Sequence, residues 1–153
     1  MNEPLFSAES LALAWRVLQT EFPKAIAETL LMTLLSTAIA VLLGLPLGVL
    51  LATGRKDGVL PLPAWLYRLL NGGIDLLRSV PFLILMIMVF PLSRLIVGTT
   101  VGTAATVVPL AVAAFPFVAR LAEGSLREVD PNLIEAAESM GATPVQIVVK
   151  VML

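Results

Sequence analysis

The 153-residue chain has no cysteine and no histidine, and charge is scarce, with 10 basic and 11 acidic residues making up 14% of it. Each shortage excludes something. Without cysteine there are no disulfides and no thiolate chemistry, and nothing points to a redox compartment. Without histidine there is no His-based zinc site and no Ser-His triad, while sites built on carboxylates stay open. A water-facing domain usually carries about 25% charged residues, so this chain has too few to cover a soluble surface. The net charge of −1 argues against nucleic acid or another anionic polymer as the main partner.

What is present is apolar: 58% of the residues are hydrophobic and the mean hydropathy is +0.96. Lipid is therefore expected to cover much of the molecule. The N-terminus does not read as a cleavable signal. Glu3 and Glu9 stand where a signal peptide would be positive, and no basic residue precedes Arg16. The first long apolar run begins only at Thr29 and exceeds the roughly 7–15 residues of a signal core. It is expected to stay in the mature protein.

From Thr29 to Gly54, 26 residues carry no charge, and 13 of those between Leu30 and Leu51 are Leu, Ile or Val. About 20 residues at 1.5 Å each cross a hydrocarbon core of about 30 Å. This is the first expected span, 29–53. A second uncharged run, Ser79 to Ser93, is only 15 residues long. It spans if the helix starts near Gly73 and Asp75 and Arg78 reach back to the interface, neutralising each other at i,i+3. That gives a second span over 73–95. A short turn, Gly98-Thr99-Thr100-Val101-Gly102, leads into a third span over 103–122.

Basic residues set the expected orientation. Arg55, Lys56, Arg68 and Arg78 follow the first span and Arg120, Arg127 and Lys150 follow the third, against Arg16, Lys24 and Arg94 on the other side. The positive-inside bias places the first loop and the C-terminal segment in the cytoplasm and the N-terminus outside. Residues 1–28 form an N-terminal extracytoplasmic segment. In it Leu11, Trp15, Leu18 and Phe22 share one helical face, the pattern of a helix lying on the outer membrane surface, with a loosely ordered tail as the alternative. Prolines inside the apolar runs (Pro46, Pro91, Pro109, Pro116) are tolerated in membrane helices, whose neighbours re-satisfy the freed carbonyls. Gly44-Leu45-Pro46-Leu47-Gly48 matches the small-xxx-small pattern of close helix approach, although Pro46 complicates a plain dimer face.

After the third span the punctuation sharpens. Asp130 is an N-cap with Pro131 at the first helical position. The helix is expected to run to about Met140 and end at Gly141 in the left-handed conformation. Thr143 then caps a second helix, with Pro144 at N1 and Gln146 at N3 closing a capping box. Two short helices meeting at a glycine make a compact elbow rooted in a membrane helix. Ala136 and Ala137 allow close approach of another backbone, Glu135 and Glu138 offer hydrogen-bond acceptors, and Ile134, Met140 and Ile147 supply apolar anchors. A capped hairpin that merely lies on the membrane surface would use the same residues.

Here the sequence resembles a known family. Glu135-Ala136-Ala137, three further residues, Gly141 and an apolar helix with Ile147 resemble the cytoplasmic EAA loop of ABC-importer permeases. Arg78-Ser79-Val80-Pro81-Phe82 is similar to the segment that opens a span in amino-acid permeases. Ile96-Val97-Gly98-Thr99, Val108-Pro109-Leu110, Pro116-Phe117-Val118-Ala119-Arg120 and Met140-Gly141-Ala142-Thr143-Pro144 resemble the methionine-importer permeases in particular. The likeness covers roughly residues 29–153. It implies an all-α, polytopic inner-membrane protein with three transmembrane helices in this chain, where the family pattern has five. It also implies that the loop over 130–150 is a coupling helix hairpin, with Glu135, Ala136, Ala137, Gly141 and Ile147 engaging a dimeric cytosolic ABC ATPase subunit. The further partners implied are a second permease copy and an extracytoplasmic substrate-binding protein, and the cargo is an amino acid, methionine in its L and D forms. No cofactor is implied. The family's loop continues into Leu-Pro and two more helices, and this chain stops at Leu153 where that proline is due, so a fragment or truncated product is expected.

Other readings fare worse. Another polar amino acid could be the cargo, since methionine rests on resemblance alone. Ala137-xxx-Gly141 with Ile147 also fits a helix-turn-helix in a membrane-tethered DNA-binding regulator. Phosphate contacts need Lys or Arg, yet residues 131–153 carry only Lys150 against Glu135 and Glu138. An intramembrane aspartyl enzyme needs two facing carboxylates, and Asp75 is the only acid near a span. No G-x-x-x-x-G-K-[ST] occurs, so the chain is expected to couple to ATP hydrolysis without performing it.

Overall fold

The computed structural model describes residues 8–152, with side chains described from Ser10 onward. Residues 1–7 of the expected N-terminal segment, Glu3 among them, and Leu153 lie outside the described residues. All regular elements among the described residues are helices: α1 Ala8–Thr53, α2 Ala64–Ser79, α3 Phe82–Val97, α4 Thr103–Arg127, α5 Pro131–Ser139 and α6 Pro144–Ile147, the last continuing into a π-helical turn over Val148–Met152. Two of these, α1 and α4, are long and apolar enough to cross a membrane on their own, and the bent pair α2–α3 makes a third where its two helices count as one span.

Two sequence expectations need correction. The boundary at 28/29 is not a break, because α1 runs unbroken for 46 residues, through both Pro23 and Pro46. At 1.5 Å per residue it is about 69 Å long, more than twice the depth of a hydrocarbon core. No glycine or capping residue interrupts Lys24-Ala25-Ile26-Ala27-Glu28, and alanine and glutamate favour helix, so the expected surface helix and the span fuse. The second span does not start at Gly73. Residues 73–79 belong to α2, and the chain turns by 114° before α3. Pro81 is the cause: it has no N–H to continue the helix and it pushes Val80 to an extended conformation, φ −78° and ψ 126°.

The third span starts at Thr103 as the 98–102 turn requires. Gly98 closes α3 with φ 83°, donating its N–H to the Arg94 carbonyl at 2.9 Å, and Gly102 precedes α4 with φ 102°. These angles favour residues without a Cβ.

The centre of the fold is the packing of α1 on α4. A Cβ at Gly44 would stand 2.6 Å from the Phe115 carbonyl oxygen, and one at Gly48 would stand 2.5 Å from that of Ala119. The partner number rises with the α1 number, so the two helices run parallel. The small-xxx-small pair is thus used inside the chain, where it lets two backbones approach closely. At the end of this contact α2 crosses, burying Ile74 with Leu51 and Ala119 against Leu47, Tyr67 and Leu70. Most large apolar side chains on the outer faces remain exposed, Leu34, Leu42 and Leu95 among them, as expected where lipid is the solvent.

Candidate functional site

The loop after α1 and the 130–152 segment share one end of the bundle. The loop is tied back on itself: Leu60 donates its N–H to the Thr53 carbonyl at 3.1 Å, and Leu62 to that of Gly54 at 3.0 Å. Between this loop, the end of α4 and α5 lies a cavity of about 390 Å³, lined among others by Arg55, Asp57, Arg127, Ile134, Glu135 and Glu138.

The hairpin itself is built by local hydrogen bonds. Asp130 Oδ1 accepts from the Asn132 N–H at 2.9 Å, with Pro131 at the first helical position. At the other end of α5, Gly141 (φ 79°) donates to the Glu138 carbonyl at 2.9 Å and Ala142 to that of Ala137 at 3.0 Å. This is the paired 5→2 and 6→1 pattern of a Schellman motif, which needs a left-handed residue at its centre. Thr143 and Gln146 then exchange bonds: Gln146 Oε1 accepts from the Thr143 N–H at 2.9 Å, and Thr143 Oγ1 accepts from the Gln146 N–H at 3.4 Å. The capping box read from the sequence is therefore present.

The five candidate coupling residues divide into two groups. Ala137 and Ile147 are buried, and with Val148 they form the inside of the elbow. Glu135, Ala136 and Gly141 are exposed, as are Glu138 and Met140. Met140, at 81% exposure, is the apolar tip of the elbow. The two carboxylates border the cavity, while Ala136 and Met140 are free to meet a partner.

Above the hairpin an ion-pair chain runs along α4. Glu123 is buried, at 2% exposure, between Arg120 at 2.5 Å and Arg127 at 3.2 Å. Arg120 also bonds Asp75 at 2.6 Å and the Asn71 carbonyl at 3.2 Å, both on α2. Asp75 therefore pairs with Arg120 and not with Arg78 as the i,i+3 spacing suggested. The crossing of α2 over α4 brings Asp75 within 2.6 Å of Arg120, whose guanidinium is held there by its further bonds to Glu123 and the Asn71 carbonyl. Glu123 was missed by sequence reasoning. Its signal was available, because Arg120, Glu123 and Arg127 recur at i, i+3 and i+7 on one helical face.

Two membrane-length apolar helices packed in parallel, a bent helix pair beside them and a capped polar elbow at one end define a helical membrane-spanning subunit. The chain belongs to the family described as the binding-protein-dependent transport system inner membrane component, whose profile matches residues 44–153. It is similar to the probable D-methionine transport system permease protein MetI of Vibrio cholerae serotype O1, at 52% identity over 127 residues, 82% of this chain and 56% of that one. The D-methionine transport system permease protein MetI of Escherichia coli K12 is 47% identical over 126 residues, 82% of this chain and 58% of that one. Among solved structures, a chain of the MetNI methionine ABC transporter in an inward-facing conformation superimposes with a TM-score of 0.79 at 42% identity, covering 97% of this chain and 64% of that one. The chain thus spans less than two thirds of the length of the relatives it matches.

Proposed function

We propose that the chain is the permease subunit, or the part of it represented here, of an ATP-driven importer that moves methionine across the cytoplasmic membrane. Two copies line a pathway at their mutual interface, an extracytoplasmic binding protein delivers the amino acid, and a dimeric cytosolic ATPase supplies the work. ATP is then hydrolysed by that separate subunit, consistent with the lack of a G-x-x-x-x-G-K-[ST] motif in the sequence. In this reading the loop after α1 and the 130–147 hairpin lie in the cytoplasm, following the excess of basic residues at that end, and α1 begins outside.

The observation that carries the reading is the elbow. It is closed by a capping box and a Schellman motif, follows the end of α4 after three residues, and presents Glu135, Ala136, Met140 and Gly141 outward on a rigid base formed by Ala137 and Ile147. A knob of this kind transmits displacement because its own hydrogen bonds resist deformation. The likeness to methionine permeases supplies the cargo.

The test uses the encoded polypeptide co-reconstituted in vesicles with its ATPase and binding protein, measuring methionine uptake against ATP hydrolysis. Glu135→Lys and Gly141→Val are expected to leave membrane insertion unchanged and to lower uptake per ATP at least tenfold. The glycine change forces a β-branched residue to φ 79°, which costs about 1–2 kcal/mol and distorts the elbow. Normal uptake in both variants would remove the hairpin from the coupling path. Uptake of another amino acid that methionine does not compete with would change the cargo.

A further inference from the structure

Helix α2 presents three faces. Tyr67, Leu70 and Ile74 pack on α1 and α4. Asn71, Asp75 and Arg78 form a polar edge, with Asp75 engaged by Arg120. The third face is apolar and open: Trp65, Leu69 and Leu76 are 68%, 64% and 66% exposed. Between Leu69 and Leu76, Gly72 and Gly73 leave it free of obstruction, since a Cβ at either would meet nothing within 4 Å.

Two arginines stand beside this face without a carboxylate. Arg68 borders it and Arg78 marks the bend, both are exposed, and neither forms an ion pair among the described residues. Because the chain turns by 114° into α3, α2 lies nearer the membrane plane than its normal when α3 crosses the bilayer. Beyond the bend, Leu83 and Ile87 of α3 are exposed as well, at 67% and 63%. An amphipathic helix in the interface plane, with a tryptophan in its apolar face and arginines at its edge, has the composition that binds anionic lipid surfaces. Water is a poor occupant for three large apolar side chains in a row.

We propose that α2 is a membrane-surface helix that selects anionic phospholipids, with Trp65, Leu69 and Leu76 entering the acyl region and Arg68 and Arg78 holding the phosphate-bearing headgroups. The bound lipid pins the bend between α2 and α3 from outside, as the Arg120–Asp75 pair pins it from inside. The inference stands apart from the identity of the cargo and from the ATPase, so it survives or fails without them.

The chain contains two tryptophans, and Trp15→Phe leaves Trp65 as the single emitter. The variant is placed in bilayers of phosphatidylcholine and phosphatidylglycerol in which one lipid at a time carries acyl-chain bromines. Trp65 emission is expected to be quenched by bromolipid, with brominated phosphatidylglycerol favoured by roughly fivefold for each arginine near the surface. Arg68→Ala with Arg78→Ala is expected to bring that preference close to unity, and Arg68→Lys with Arg78→Lys to retain it. Equal quenching by the two lipids overturns the proposal. So does quenching by aqueous acrylamide and not by bromolipid, which means water, and so does protection from both, which means that protein covers the face. If the alanine pair fails to insert, the comparison of the two bromolipids on the parent sequence still decides.

Discussion

Where α1 meets α4, contact depends on what is missing: Gly44 and Gly48 have no side chains, and the carbonyls of Phe115 and Ala119 occupy the space. The 130–147 hairpin is made the other way, by side chains and backbone groups that exchange hydrogen bonds within a few residues. The difference follows from the solvent. Between helices in lipid, apolar side chains gain little by meeting one another, and close backbone approach at small residues does the holding. At an aqueous end, a short segment with few apolar contacts must satisfy its own polar groups to stay rigid. The first region is therefore sensitive to volume and the second to hydrogen-bond chemistry.

The largest expected effect falls outside both regions, on the ion pairs of α4 that link it to α2. Glu123→Ala takes one carboxylate from Arg120, which keeps Asp75, and removes the ion-pair partner of Arg127, and a hydrogen bond to a charged group contributes about 1.5–3 kcal/mol. Thermal unfolding in detergent should show a loss of that order. A loss below about 1 kcal/mol would mean that the pair is solvated and does not hold α4. Next comes the volume test. Gly48→Leu drives a side chain into the α4 backbone, and overpacking of this kind costs about 1–3 kcal/mol. Proteolysis of the α1–α4 pair should accelerate while hydrogen exchange in 131–147 stays as it was. The smallest effect belongs to the hairpin. Thr143→Ala removes one cap, worth about 1 kcal/mol, and hydrogen exchange should rise at Gln146 and Ile147 with no change in α1 or α4. If exchange rose in all three helices, the hairpin would not be a locally determined unit.

Legibility in the sequence followed the range of the interactions. The hairpin could be read almost residue by residue, because its caps act over two to five positions: Asp130 on Asn132, Gly141 on Glu138, Thr143 on Gln146. The α3–α4 turn was readable for the same reason. The α2–α3 bend was half legible. Pro81 was in view, but an uncharged run of 15 residues was read as one span, since hydropathy reports burial in lipid and not direction. The fused α1 was missed because a change in composition at Glu28 is not a helix stop. Asp75 and Arg120 are 45 residues apart, and only the crossing of α2 over α4 brings them together.

By itself the amino-acid order determined that this is a membrane-spanning helical protein with a polar, doubly capped elbow after the 103–122 apolar run, because hydropathy and capping are properties of contiguous residues. Only the tertiary structure decided which carboxylate each arginine meets, that Gly44 and Gly48 serve contact within the chain, and that α2 turns an apolar face outward. Those outcomes depend on where helices cross, and a crossing is set by packing between segments that no local pattern connects.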